Sequence, residues 1–137
     1  MLCSASSWIR SGLLLALLAL IPACNGSLQD GNGAPSTAAP SFGGATGASA
    51  GPTAGEVTLT WSPALGLSGG TITYLVFASL AGSGTENLGS PVTSTTGATG
   101  VTVTGLTSHD EYWFIVQAED SSGNVDGNAI EVTATPP

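Results

Sequence analysis

Short runs in which apolar and polar residues alternate one by one dominate the chain after residue 56. Val57, Leu59 and Trp61 alternate with threonines. The same alternation continues at residues 72–76, 101–104, 112–118 and 130–132. A period of two in Val, Ile, Thr and aromatic residues predicts half-buried β-strands. No segment after residue 40 has helical periodicity, so the pattern predicts an all-β sandwich or barrel.

The apolar members of this alternation form the predicted core. They are Val57, Leu59, Trp61, Ile72, Tyr74, Val76, Val101, Val103, Leu106, Tyr112, Phe114, Val116, Ile130 and Val132. This interior has to stabilise the domain without disulfides, which is feasible for a domain of about 95 residues.

A different pattern begins the chain. An apolar run at residues 13–21 follows Arg10, and small residues follow the run. A transmembrane helix needs about 20 apolar residues, so this run is too short to span a membrane. A charge, a short apolar helical segment and then small residues together predict a cleaved signal peptide over residues 1–23.

Cys24 stands directly after this segment, preceded by Ile21, Pro22 and Ala23. The sequence resembles the lipobox of bacterial lipoproteins, although Pro22 is unusual at its position. The resemblance implies that Cys24 becomes the first mature residue and carries acyl chains that anchor the protein in a membrane. Asn25 is not the Asp that tends to retain such proteins in the inner membrane, which favours the outer membrane. The alternative is an ordinary signal peptide, with Cys24 as a free thiol.

Residues 24–39 are rich in Gly, Ala, Ser and Pro. Such a segment cannot bury enough apolar surface to offset the entropy cost of ordering, so we expect a disordered tether. It separates the anchor from a single domain over residues 40–137.

Within that domain, three pieces of sequence resemble a fibronectin type III domain. Leu59-Thr60-Trp61 is similar to its second strand, and Tyr74-Leu75-Val76 to its third. Gly105-Leu106 and residues 112–118 resemble the corner that precedes the sixth strand and that strand itself. The resemblance implies an immunoglobulin-like sandwich of seven strands. Trp61 would lie between the sheets, and the Tyr112 hydroxyl would bond to the backbone of the preceding turn.

Charge limits the possible functions. Lys and Arg together number 1, against 9 Asp and Glu, and the single cation is Arg10 in the predicted signal peptide. Without cations the mature protein cannot neutralise phosphates, which excludes nucleic-acid binding. His109 is the only histidine. It lies in a predicted turn with no pocket implied, so we expect no enzymatic activity and no cofactor.

The connection after the sixth strand contains a candidate calcium site. Asp120, Asn124, Asp126 and Asn128 place alternating oxygen ligands on a glycine-containing loop, as calcium favours. Hairpin turns require the same residue types, and the spacing does not match an EF-hand. We therefore expect no bound metal.

A candidate interaction surface lies on the third and sixth strands. Leu75, Phe77, Trp113 and Ile115 have the parity opposite to the core, and these strands are neighbours in the resembled fold. Either the four side chains form an exposed apolar stripe for a partner, or a connecting segment covers them. The segments that could cover the stripe are residues 43–55 and the connection that contains Leu80 and Leu88.

Together these features favour a non-catalytic, lipid-anchored module of the cell envelope. Its role would be protein–protein or extracellular matrix interaction, or that of a spacer. The alternative is a carbohydrate-associated accessory binding module, in which Trp113 stacks on a sugar.

Overall fold

A computed structural model describes residues 38–66 and 69–137. The predicted signal peptide, Cys24 and the tether up to residue 37 lie outside the described residues. Seven β-strands are present in the described part, and it contains no helix. They are β1 (Ala45–Ala50), β2 (Val57–Trp61), β3 (Thr73–Ser79), β4 (Thr93–Thr96), β5 (Gly100–Val103), β6 (Tyr112–Glu119) and β7 (Glu131–Ala134). Consequently none of the described residues belongs to a helix long and apolar enough to cross a membrane.

The strands form two antiparallel sheets. One has the order β1-β2-β5 and the other the order β4-β3-β6-β7. Because successive side chains of a strand point to opposite faces, each sheet turns one apolar face inward. The chain passes from one sheet to the other between β4 and β5, where Trp61 donates its backbone N–H to the Thr99 carbonyl at 3.0 Å. The predicted seven-strand sandwich is confirmed.

Trp61 and Tyr112 occupy the places predicted for them. The Trp61 side chain is 4% exposed, and its ring lies 5.1 Å from that of Tyr74. The indole Nε1 donates to the Ala98 carbonyl at 3.0 Å, so the ring is buried without leaving its polar atom unpaired. The Tyr112 hydroxyl accepts the Thr107 N–H at 2.9 Å, which joins β6 to the turn before it.

Two strands lie where the sequence carries no alternating apolar pattern. In β1, Ala45 is the one fully buried side chain, and the strand is held by its pairing with β2. Small residues suit this position, since a Cβ on Gly47 would lie 2.9 Å from Thr60 Oγ1. The polar strand β4 pairs with β3 at the edge of the other sheet. Both strands therefore depend on a neighbouring strand more than on their own sequence.

The prediction that Ile130 belongs to the core was wrong. Ile130 is 53% exposed. It precedes the first paired position of β7, where Glu131 lies opposite Ile115. Asn128 Oδ1 accepts the Ile130 N–H at 2.8 Å and keeps this residue in the turn rather than in the ladder. The alternation of apolar and polar residues does not by itself show at which residue a strand begins to pair with its neighbour.

Candidate interaction surface

The four residues of the predicted stripe share the outer face of the β4-β3-β6-β7 sheet. Phe77 lies directly opposite Ile115, and Ile115 lies opposite Glu131 on β7. Leu75 and Trp113 lie on the same face, two residues away from Phe77 and Ile115 along their strands. The register therefore brings the four side chains together on adjacent strands.

Their exposure differs. Phe77 is 1% exposed and Ile115 4%, yet neither belongs to the cluster between the two sheets. Leu75 and Trp113 are half-buried. An outer-face residue is buried only if something lies on top of it, so part of this face is covered. The predicted interaction surface is reduced to Leu75 and Trp113, and its role stays a prediction.

The covering element is the connection between β3 and β4. We call residues 80–90 the strap. The Ser83 hydroxyl and the Gly84 N–H both donate to the Glu131 carboxylate, the latter at 2.5 Å. Glu131 adjoins Ile115 on the outer face, so these bonds bring the strap across the sheet from β3 to β7. The chain then returns to the β4 side, where the Val92 N–H donates to the Val76 carbonyl at 2.8 Å.

Other contacts fix the start of the strap. The Ser79 hydroxyl at the end of β3 bonds to the Thr85 hydroxyl, and it accepts the Ala81 N–H at 3.1 Å. The first of the two segments proposed as covers, residues 43–55, instead contributes β1 to the opposite sheet. The second contains the strap, although Leu80 and Leu88 are 50% and 45% exposed. These leucines face outward and do not pack down on the sheet.

An apolar rim remains accessible beside the strap. Val92 is 52% exposed and continues the β4 ladder at the position next to Phe77. With Leu75, Trp113, Leu80 and Leu88 it forms a set that we call the outer patch. Scattered exposed apolar residues need no explanation, and only a contiguous patch marks an interaction surface, so an interaction role for these five residues stays a prediction.

The candidate calcium residues in the β6–β7 connection use their oxygens within the chain. One oxygen of the Asp120 carboxylate accepts the backbone N–H groups of Ser122 and Asn124, at 2.8 and 2.9 Å. Its other oxygen accepts from the Asn124 amide nitrogen at 2.9 Å. The hydrogen bond from the Asn124 side chain is the largest of several that lower the pKa of Asp120. The Asp120 carboxylate therefore stabilises the turn that follows β6 by accepting hydrogen bonds from its residues.

In the second half of the same connection, the polar side chains also form hydrogen bonds within the chain. Asp126 accepts the Ala118 N–H at 2.7 Å and the Asn128 N–H at 3.3 Å. Asn128 donates its side-chain amide to the Val116 carbonyl at 2.5 Å. Across the described ranges, no three His, Cys, Asp or Glu side chains group as metal ligands would. The geometry supports the hairpin-forming role of these residues.

His109 belongs to the turn before β6 and is exposed. Its φ angle is +69°, and its N–H donates to the Pro136 carbonyl at 2.9 Å. The neighbouring Asp110 and Glu111 are exposed as well. A nucleophile or acid–base pair requires side chains held within hydrogen-bond reach, and no bond from the His109 ring is found in the described part of the chain. His109 therefore contributes to the corner before β6 through its backbone conformation and its backbone hydrogen bond.

Sequence reasoning missed Glu131 and Glu86. Glu131 reaches a strap residue that is 47 positions away in the chain, so no local pattern indicates its role. The polar residues Ser83 and Gly84 look like an ordinary turn.

Two antiparallel sheets of three and four strands, with a buried tryptophan between them and a tyrosine-bonded corner before β6, define an immunoglobulin-like β-sandwich module. The model of the fibronectin type III domain matches residues 43–134. The chain belongs to the fibronectin type III family, whose members are generally non-catalytic.

Among solved structures, the chain is similar to a Fn3-like protein from Clostridium thermocellum. The two are 25% identical, with a TM-score of 0.55. The similarity covers 73% of this chain and 96% of the other. No protein among curated sequences matches this chain.

Proposed function

We propose that this protein is a non-catalytic module, lipid-anchored in the cell envelope, that acts through protein–protein or extracellular matrix contacts or as a spacer. The observation that carries the interaction role is the outer patch, in which Trp113 and Leu75 remain half-exposed while Phe77 and Ile115 are covered. Tryptophan is one of the residue types that dominate binding energy at interfaces, and Trp113 is partly accessible on this face.

The charge of the domain narrows the choice of protein partner. The chain's only Lys or Arg is Arg10, so every charged side chain from residue 38 onward is acidic, apart from His109. Electrostatic complementarity favours a partner whose docking surface is neutral or basic. Association with a basic partner is expected to slow as salt is raised, because long-range attraction is screened.

The interaction role is tested by removing the apolar side chains of the outer patch. We expect Trp113→Thr with Leu75→Thr to abolish cross-linked complexes on intact cells. Thr58→Val with Thr102→Val, on the outer face of the other sheet, is the matched control. Thr58 and Thr102 are paired neighbours there. If both double variants keep the same cross-linked products as wild type, the outer patch is not an interaction surface and a spacer role is favoured.

Lipid anchoring is supported by the apolar run at residues 13–21 and by the lipobox that ends at Cys24. Metabolic labelling with an acyl precursor tests it. The wild-type protein should incorporate label and fractionate with the outer membrane. Cys24→Ser should not incorporate label. Equal labelling of the two proteins would exclude Cys24 as the anchor.

A carbohydrate-associated accessory module is the second candidate. Trp113 supports it because a half-exposed indole on a flat sheet face can stack on a sugar ring. A polysaccharide pull-down separates the two proposals. Retention on an insoluble polysaccharide that is lost in Trp113→Thr supports the carbohydrate role, and no retention on a panel of polysaccharides rejects it.

A further inference from the structure

The strap is attached to the sheet mainly through a single side chain of β7. The Glu131 carboxylate accepts both the Ser83 hydroxyl and the Gly84 N–H. These hydrogen bonds, Ser83 first, lower the pKa of Glu131. Most of the strap is exposed to solvent, and its path uses positive φ angles at Gly82 (+114°) and Gly84 (+74°). A segment with few buried contacts and exposed hydrogen bonds lies at the low end of local stability.

Glu86 opposes this attachment. Both of its carboxylate oxygens are buried, and neither receives a hydrogen bond from the described residues. A carboxylate that is desolvated and accepts no hydrogen bond is costly to bury, so the loss of hydration at Glu86 opposes closure of the strap.

In the part of the chain that the structure describes, no Lys or Arg is present to offset the cost of burying the Glu86 carboxylate. Glu131's outer-face neighbour on β6 is Ile115, and the flanking positions on that strand are Trp113 and Gln117. On β3 the facing residue is Phe77. None of these side chains ionises, and the chain has no Lys or Arg beyond Arg10. The nearest ionisable residue on the same face of β6 is Glu119, which is also acidic.

We propose that the strap is a conditional cover, closed by Glu131, opposed by Glu86, and able to lift from Phe77 and Ile115 while the sandwich stays folded. The occupant of the buried outer face is thus this chain's own segment. The hydrogen bonds of Glu131 hold it, and the unpartnered Glu86 carboxylate weakens its attachment. Lifting would add two large apolar side chains to the outer patch. The movement does not depend on the proposed interaction role, because it requires no partner.

Amide hydrogen exchange of Gly84 measures the closed state directly, since this N–H donates to Glu131. In the purified full chain at pH 7, the Gly84 amide should exchange well above the rate of the amides that pair β3 with β6. Exchange of Gly84 only as slowly as those central amides would show that the strap opens with global unfolding, and would overturn the proposal without any variant.

Three single substitutions then assign the roles. Glu86→Gln removes the opposing charge and supplies an amide donor, so Gly84 exchange should slow by about fivefold. Glu131→Gln weakens the acceptor, so exchange should accelerate by about tenfold. Glu119→Gln removes one charge from the same face away from the strap and should have little effect. The proposal fails if Glu86→Gln leaves exchange unchanged or accelerates it, or if Glu119→Gln slows it equally.

Discussion

The hydroxyl of Tyr112 offers the sharpest test of how the sandwich is stabilised. Tyr112→Phe retains the ring, which is 7% exposed and lies 6.0 Å from the ring of Phe114. It removes the acceptor of the Thr107 N–H, a bond of 2.9 Å. The substitution thus separates one hydrogen bond from the packing of the aromatic ring.

The expected loss of stability follows from the Thr107 N–H, which loses its hydrogen-bond acceptor in Tyr112→Phe. The bond is part-buried, and loss of a hydrogen bond that leaves its donor without an acceptor costs about 1–3 kcal/mol. We therefore expect Tyr112→Phe to lower the free energy of unfolding by about 2 kcal/mol. For a domain of this size that corresponds to a fall in Tm of about 8–16 °C.

Urea denaturation followed by tryptophan fluorescence measures the change, with the m-value checked against wild type. Thr102→Val is the control, because it also removes one hydroxyl, but from an exposed pair with Thr58 at 3.4 Å. It should alter stability by no more than about 0.5 kcal/mol. If Tyr112→Phe is as stable as Thr102→Val, the corner hydrogen bond does not stabilise the fold and the reasoning is refuted.

Substitutions at three further residues probe the turns. In Gly55→Ala, the new Cβ would lie 2.5 Å from the Leu106 carbonyl oxygen, at a φ of +74°, so urea denaturation should show a loss of about 2 kcal/mol or more. Because the pKa of Asp120 is lowered in the folded state, its contribution is complete above the ordinary value and is lost as pH falls through the folded one. Asp120→Asn should therefore flatten the loss of stability below about pH 4 in acid titrations of thermal unfolding; an unchanged pH profile contradicts this. Finally, His109→Val should destabilise by about 1–2 kcal/mol at its positive φ, whereas His109→Gly should not; equal unfolding midpoints would exclude backbone strain.

The prediction of strands from sequence succeeded where a strand supplies half of a buried face. In β2 and β6 the apolar side chains alternate along the strand itself, and Leu59, Phe114 and Val116 are fully buried as expected. It failed for β1 and β4, whose residues are mostly small or hydroxyl-bearing. These strands exist because β2 and β3 present unpaired backbone groups to them. Pairing of this kind leaves no mark on local composition.

The candidate surface shows a similar division. The parity of Leu75, Phe77, Trp113 and Ile115 was enough to place them on one outer face, because side-chain direction in a strand has a fixed period. Which of the four are accessible depended on the strap. Its position is set by hydrogen bonds between Glu131 and residues 47 and 48 positions away. Chain alternation contains no information about such a contact.

The amino-acid sequence alone determined the class of fold, the aromatic centre of the core and the absence of Lys and Arg after Arg10, since these follow from residue type and spacing. Tertiary structure decided which apolar residues are covered, that the Asp120 and Asp126 carboxylates accept hydrogen bonds within turns, and that Glu131 bonds to the strap. The physical reason is the distance along the chain over which each effect acts. Periodicity acts between neighbours in the chain, whereas burial and hydrogen bonding join groups that only folding brings together.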